Sequence, residues 1–166
     1  ATFPNSGDPE ITAVVEDSRH VTPGALFVAR RGRELDGHAF ILAALQAGAA
    51  AIVGELAVGE LPDACAEMTI PYVQASDGAA AVGQLAAALH GFPARKLVMI
   101  GVTGTDGKTT TCSLIHSILR AASIRAGLIT TVNTEIGAEV MDTGFHVTTP
   151  DAAAVQGFLA RMVAAG

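Results

Sequence analysis

The chain has 166 residues, of which 50% are hydrophobic and 16% are charged, and its net charge is −6. This length suits one ordinary domain or two small ones, and the apolar content excludes a disordered chain. The basic residues form no run longer than Arg30-Arg31, whereas a nucleic-acid-binding surface needs a basic stripe. Cys65 and Cys112 are isolated, which favours a reducing compartment. Because the apolar runs fall short of the ~20 residues of a membrane helix, we expect a cytoplasmic protein without a membrane span or a nucleic-acid partner.

The N-terminal half alternates short apolar strands with helices, which predicts an α/β domain. The predicted strands cover residues 11–15, 25–30, 49–53 and 71–74, and the predicted helices cover residues 39–46 and 77–89. The segment Gly91-Phe92-Pro93 stops the second helix. We therefore divide the chain into domains at residues 1–93 and 94–166.

The second half begins with the apolar run 97–100, which is typical of a strand buried on both faces of a parallel sheet. A helix from residue 108 to 122, a strand at 127–129, a hairpin within 134–147 and a helix from 151 to 163 are predicted to follow. The hairpin turns are expected near Gly137 and at residues 142–144. A single βαβ unit cannot bury both faces of its sheet, so we expect the front end of a longer enzyme.

The strongest chemical signal is the Gly- and Thr-rich turn at residues 101–110, between the predicted strand and helix. A phosphate-binding loop needs glycines so that backbone amides can converge on the anion, a lysine for the outer phosphates and a hydroxyl for Mg²⁺. Gly104, Gly107, Lys108 and Thr109 supply these parts. We expect the amides of residues 104–110 to face one anion-sized pocket at the helix N-terminus. The carboxylate of Asp106 is unusual because it repels phosphate unless it points outward or engages a cation.

The loop resembles the Gly-Thr-Asn-Gly-Lys-Thr-Thr loop of the Mur ligase family, the ATP-dependent amide-forming enzymes of peptidoglycan synthesis, with Asp106 in place of Asn. Residues 17–29 are similar to the opening segment of the MurE and MurF types, and residues 32, 36–41 and 48–53 continue the likeness. Residues 127–132 and 148–151 resemble the MurE type, which adds an amino acid to a UDP-N-acetylmuramoyl-dipeptide. Thr130 stands where that type usually has Gly, and residues 133–137 partly echo the MurF type.

The resemblance implies an α/β fold in which a small substrate domain is followed by the start of a parallel-sheet ATPase domain with a phosphate loop. It implies that ATP is bound by the residues Gly104, Thr105, Asp106, Gly107, Lys108, Thr109 and Thr110. Lys108 would act in catalysis on the β- and γ-phosphates, and Thr109 would ligate Mg²⁺. The UDP-linked substrate would be contacted by Ser18, Arg33, Glu34, Leu35, Thr148 and Thr149. The implied reaction forms an acyl phosphate on the D-Glu side-chain carboxylate, which the amine of diaminopimelate or lysine then attacks.

The family's Glu-Xaa-Ser-Ser-His segment, its carbamoylated lysine and its amino-acid-binding domain are not found in these 166 residues. We therefore expect this chain to bind substrate and phosphates, as a monomer, without completing the reaction. A MurF-type or cyanophycin-synthetase-like ligase and a non-catalytic nucleotide-binding module are the alternative functions.

Several of these residues also have a purely structural interpretation. Ser18 could cap a turn, and Thr148 and Thr149 could cap the last helix, which is compatible with substrate binding. His38 is expected to be a cap or a packing partner. Cys112 and His116 have a metal-compatible spacing on a helix, but two ligands alone favour a packed helix face.

Overall fold

The structure is a computed structural model that describes residues 8–32, 35–62, 65, 68–142 and 150–166. The chain forms two compact units, Ala1–Leu89 and His90–Gly166. Among the described residues, no helix has both the length and the hydropathy needed to cross a bilayer.

The first unit is built on a four-stranded parallel sheet whose spatial order follows the sequence. Its strands are β1 (Ala13–Val15), β2 (Ala25–Ala29), β3 (Ala51–Gly54) and β4 (Tyr72–Gln74). All residues of β2 and β3 are buried, which is the expected environment for uninterrupted apolar runs in a parallel sheet. The four strands predicted in this half of the sequence are therefore confirmed, with slightly different ends.

Two helices cover this sheet. A short 3₁₀ helix, Gly37–Phe40, leads into α1 (Ile41–Gln46), and α2 spans Gly78–Leu89. Alternate residues of β2 point to opposite faces, and Phe27 shares one buried cluster with Ile41 of α1. Helix α2 contacts β1, β2 and β3. The α/β prediction for this unit is thus confirmed.

The described part of the second unit contains two α-helices and a three-stranded antiparallel sheet. Its elements are α3 (Lys108–Ala121), β5 (Leu128–Ile129), β6 (Asn133–Ile136), β7 (Glu139–Asp142) and α4 (Ala152–Ala165). The predicted turn at Gly137 joins β6 to β7, and Asp151 caps α4 by accepting the Ala154 N–H at 2.6 Å. Most of the second predicted turn, at residues 142–144, lies outside the described residues.

The predicted strand at residues 97–100 is wrong, and with it the predicted βαβ unit. Residues 97–100 form no strand, and the side chain of Val98 is 93% exposed. A β-strand needs a neighbouring strand to accept its backbone hydrogen bonds, and no described strand pairs with this segment. The sheet described in this unit is antiparallel, and Ile118 of α3 is 67% exposed.

Candidate functional site

The turn that precedes α3 has the backbone expected of an anion-binding loop. Gly107 precedes the first helical residue with φ of +77°, a left-handed conformation that glycine adopts without steric cost. The Thr111 N–H donates to the Gly107 carbonyl at 2.9 Å. The N–H groups of the preceding helical residues have no acceptor earlier in the helix. They are therefore available to an anion, and the helix dipole adds to the attraction.

Lys108 lies on the first turn of α3 and bends back over the loop. Its ammonium group donates to the carbonyl oxygens of Gly104, at 2.6 Å, and Thr105, at 3.1 Å. Residues 103–107 are exposed, whereas Lys108 is half-buried. Lys108 is thus neither in a strand nor in the core, and a positive charge sits within the loop itself.

The hydroxyl of Thr109 lies beside a second hydroxyl. Its Oγ1 atom is 3.4 Å from Oγ1 of Thr131, in the segment that follows β5. Both residues are half-buried. Hydroxyl oxygens are hard ligands of the kind that Mg²⁺ binds together with phosphate oxygens. The donor set therefore fits Mg²⁺, while the ligand role of Thr109 stays a prediction.

Thr130 organises the turn that carries Thr131, and its role was missed in the sequence. Its hydroxyl accepts the N–H groups of Val132, at 3.2 Å, and Asn133, at 3.1 Å. The same hydroxyl lies 2.9 Å from Asn133 Oδ1, to which it can donate. Thr130 is buried. A threonine in a turn commonly satisfies nearby backbone groups in this way, so the departure from the family's usual Gly has a local structural role.

Of the pair Cys112 and His116, His116 has the packed environment that the sequence favoured, whereas Cys112 is half-buried. His116 is buried; its Nε2 atom lies 3.0 Å from the Ala126 carbonyl oxygen, and its Nδ1 atom lies 3.6 Å from Glu135. Within the described ranges, no group of three or more His, Cys, Asp or Glu residues is arranged to hold a metal. The imidazole therefore ties α3 to the neighbouring loop and to β6.

In the first unit, Ser18 opens a short 3₁₀ helix, Ser18–His20, just after β1. Asp17 caps this helix by accepting the Arg19 N–H at 2.9 Å, and its carboxylate also pairs with the Arg19 guanidinium at 2.6 Å. These bonds, the side-chain bond from Arg19 first, lower the pKa of Asp17 to about 2. Because Asp17 already caps this helix, the Ser18 hydroxyl is not needed as a helix cap.

Among the other predicted substrate residues, Leu35 belongs to the described part of the chain and follows the carboxyl end of β2. Leu35 is 67% exposed. Arg33, Glu34, Thr148 and Thr149 lie outside the described residues. In open α/β sheets, ligands bind at the carboxyl ends of the strands. The positions of Ser18 and Leu35, after β1 and β2, therefore agree with a binding role.

Glu55 follows β3 at this same edge, and sequence reasoning missed it. Its carboxylate accepts the N–H groups of Arg31, at 3.0 Å, and Gly78, at 2.8 Å. The bond from Arg31, followed by the bond from Gly78, lowers the pKa of Glu55. Nearby, Glu16 and Arg30 pair at 2.5 Å. A lone Glu after a strand carries no sequence signal for such bonds, because both donors are backbone groups.

Comparison with known proteins identifies the family. A family model described as "Mur ligase family, catalytic domain" matches residues 10–90, and one described as "Mur ligase middle domain" matches residues 102–166. The chain belongs to the Mur ligase family. The resemblance seen in the phosphate loop and in the opening segment is thereby confirmed.

Curated relatives of this Mur ligase chain include proteins named as a tripeptide synthetase and as a diaminopimelate ligase. It is 45% identical over 161 residues to a UDP-N-acetylmuramyl-tripeptide synthetase of Deinococcus radiodurans, covering 96% of the chain and 32% of that protein. It is 41% identical over 162 residues to a UDP-N-acetylmuramoyl-L-alanyl-D-glutamate--2,6-diaminopimelate ligase of Geobacillus thermodenitrificans, covering 96% of the chain and 31% of that protein. The chain thus spans about a third of the length of these relatives.

Solved structures agree on the fold. A UDP-N-acetylmuramoyl-L-alanyl-D-glutamate--2,6-diaminopimelate ligase superposes with a TM-score of 0.67 at 23% identity, covering 93% of this Mur ligase chain and 30% of the other. MurF from Acinetobacter baumannii superposes with a TM-score of 0.57 at 25% identity, covering 93% of this chain and 28% of the other. Both superpositions support the α/β fold of this chain.

Proposed function

We propose that this chain is part of an ATP-dependent ligase that adds an amino acid, diaminopimelate or lysine, to UDP-N-acetylmuramoyl-L-alanyl-D-glutamate. The observation that carries the proposal is the position of Lys108, which lies at the N-terminus of α3 and reaches back over Gly104 and Thr105. The names of relatives at 41–45% identity support the same reaction. The first unit supplies the site for the UDP-linked substrate, and the second unit supplies the phosphate site.

In the second unit, the phosphate loop binds ATP through residues 104–110. The triphosphate competes with the carbonyls of Gly104 and Thr105 for the Lys108 ammonium. Once released from these neutral acceptors, the ammonium neutralises charge on the β- and γ-phosphates as the γ-phosphoryl group transfers. The Thr109 hydroxyl is the proposed ligand of Mg²⁺, and its position 3.4 Å from the Thr131 hydroxyl supports this role. When bound, this ion neutralises phosphate charge.

In the first unit, Ser18 and Leu35 contact the uridine end of the substrate, together with Arg33 and Glu34. Thr148 and Thr149 hold the muramoyl-dipeptide end.

The proposed reaction proceeds in two steps. A D-Glu carboxylate oxygen attacks the γ-phosphorus and ADP leaves; the amino group then attacks the acyl phosphate carbon, an amide bond forms, and inorganic phosphate and a proton are released.

We also infer that the protein is a cytoplasmic monomer, and the absence of a basic run argues against a nucleic-acid partner. The MurF reaction is the second candidate, favoured by the likeness to MurF from Acinetobacter baumannii at 25% identity. A non-catalytic nucleotide-binding module is the third, and it would bind ATP without any turnover.

The test is phosphate release by the full-length protein whose gene encodes these residues, with ATP and Mg²⁺ present throughout. We expect release to require both UDP-N-acetylmuramoyl-L-alanyl-D-glutamate and either diaminopimelate or lysine. Release that instead requires a UDP-linked tripeptide and D-alanyl-D-alanine would assign the MurF reaction. Binding of ATP without release under either condition would contradict the proposed ligase function.

A further inference from the structure

The segments on either side of residues 33–34 are held together by backbone bonds. Arg31 and Asp36 form an isolated antiparallel bridge. One residue further in, the Gly32 N–H donates to the Leu35 carbonyl at 2.8 Å. These bonds join one arm, Arg31-Gly32, to the other arm, Leu35-Asp36, so further bonds from the sheet to either arm help to fix its orientation.

Glu55 fixes the first arm of this turn. One carboxylate oxygen accepts the Arg31 N–H at 3.0 Å, and the other accepts the Gly78 N–H, at the first residue of α2, at 2.8 Å. Both bonds favour the ionised carboxylate and lower the pKa of Glu55. The side chain therefore ties the arm that contains Arg31 to helix α2.

His38 fixes the second arm. It is only 3% exposed, and its Nε2 atom accepts the Glu55 N–H at 2.9 Å. An imidazole nitrogen that accepts an N–H carries no proton, so in the neutral ring the proton is on Nδ1. Nδ1 lies 2.5 Å from Asp36 Oδ1, which it reaches as a donor.

These contacts form a closed ring: Arg31 to Glu55, Glu55 to His38, His38 to Asp36, and Asp36 back to Arg31. We propose that His38 and Glu55 are positioning residues for binding of the UDP-linked substrate, because they hold both arms of the turn that presents Leu35. This inference rests on the proposed function, in which Leu35 contacts the uridine end. Leu35 presents an exposed apolar side chain, which is suited to contact with the face of a pyrimidine base.

The test uses the full-length protein and calorimetric titration with UDP-N-acetylmuramoyl-L-alanyl-D-glutamate. Glu55→Gln replaces one acceptor oxygen with an NH₂ group that faces a backbone donor. We expect it to raise the Kd for this substrate by about tenfold, the effect of one lost charge-assisted bond. The KM for ATP should differ from the wild-type value by less than about twofold, because the residues proposed to bind ATP lie outside this ring. Glu60→Gln is the matched control, since the Glu60 carboxylate also accepts one backbone N–H, from Ala57 at 3.0 Å, outside the ring.

Two substitutions at position 38 separate the two links of the imidazole. In His38→Gln the amide oxygen can still accept the Glu55 N–H, whereas in His38→Asn the amide N–H can still donate to Asp36. We expect both variants to have Kd values between those of the wild type and His38→Ala. This graded response keeps the proposal testable if Glu55→Gln fails to fold.

The outcomes distinguish this inference from the proposed function. A wild-type protein that does not bind the UDP-linked substrate contradicts the proposed function itself. Wild-type binding together with Kd values within about twofold in Glu55→Gln and in all three His38 variants overturns the positioning role. An equal rise in the KM for ATP and for the UDP-linked substrate also overturns it, because that pattern indicates a general structural defect.

Discussion

The Lys108 ammonium donates to the Gly104 carbonyl oxygen at 2.6 Å, so the cation of the phosphate loop lies against the loop's own backbone. The bond to Thr105 at 3.1 Å holds it in the same place. The loop thus keeps the charge close to the N-terminus of α3, where the helix dipole also attracts an anion. We expect the binding of a triphosphate to replace these two bonds of the Lys108 ammonium.

Asp106, within the same loop, is exposed. We expect Asp106→Asn to lower the KM for ATP by about 1.4- to fivefold, because exposed charge pairs are typically worth about 0.2–1 kcal/mol. The effect should shrink as salt is raised, since salt screens exposed charges. Steady-state kinetics of the full-length protein at two ionic strengths measure both effects. Asp106→Glu, which keeps the charge, is the control, and a higher KM in Asp106→Asn would show that the carboxylate assists binding.

Gly54, at the end of β3, leaves room for the buried Tyr72 side chain. A Cβ at position 54 would approach the Tyr72 hydroxyl oxygen and come within 2.9 Å of its Cζ atom. We expect Gly54→Ala to lower the free energy of unfolding by about 1–3 kcal/mol, the usual cost of overpacking. Gly59→Ala is the control, because a Cβ there meets nothing within 4 Å. Denaturant titrations of the two variants compare the effects, and equal stabilities would contradict this account of the contact.

Tyr72 is the single tyrosine of the chain, which also lacks tryptophan. Burial, with smaller contributions from the nearby Cys65, Glu55 and Glu60, raises its pKa to about 12. Its hydroxyl also donates to the Leu56 carbonyl at 2.7 Å. Because the pKa is higher in the folded state than its usual value near 10, the neutral phenol favours folding below pH ~10, and this contribution is lost as pH rises toward 12.

Absorbance of the phenolate measures this shift directly in the 166-residue chain. We expect the midpoint to lie near pH 12 in the folded chain and near pH ~10 after denaturation in guanidinium chloride. A folded-state midpoint equal to the denatured one would show that the hydroxyl is accessible to water, contrary to its burial.

The sheet of the first unit could be predicted from sequence, because each strand is a short apolar run bounded by turn residues. The failure at residues 97–100 has a physical reason: the same kind of run forms a strand only where a neighbouring strand accepts its backbone bonds. Pattern alone does not show whether that neighbour is present.

The residues of the candidate sites also differ in whether the sequence alone could indicate them. The position of Lys108 and Thr109 at a helix N-terminus could be predicted because a phosphate loop has a fixed spacing, while their roles stay predictions. Glu55 and Thr130 could not, because their partners are backbone N–H groups. Every residue except proline has such a donor, so the sequence does not show which backbone N–H group bonds to a given side chain. Only the fold brings Arg31 and Gly78 to the same carboxylate.

Ser18 is predicted to contact the uridine end of the substrate. We expect Ser18→Ala to raise the Kd for UDP-N-acetylmuramoyl-L-alanyl-D-glutamate by about two- to tenfold, since one hydrogen bond is worth about 0.5–1.5 kcal/mol. Calorimetric titration of the full-length protein measures this change. Ser117→Ala is the control, because the Ser117 hydroxyl bonds within α3, to the Ser113 carbonyl at 2.8 Å. Wild-type affinity in Ser18→Ala would remove this residue from the substrate site.

The central claim is that Lys108 serves phosphoryl transfer while other residues bind the UDP-linked substrate. The decisive measurement is phosphate release by full-length Lys108→Ala, run beside a titration with that substrate and with Lys96→Ala, an exposed lysine of the same unit, as control. We expect release to fall by about 10²–10³-fold, the typical cost of losing one preorganised electrostatic donor, while the Kd for the UDP-linked substrate changes by less than about twofold. Loss of both activities would indicate misfolding of the variant rather than a role in transfer. Near-normal phosphate release by Lys108→Ala would contradict the account.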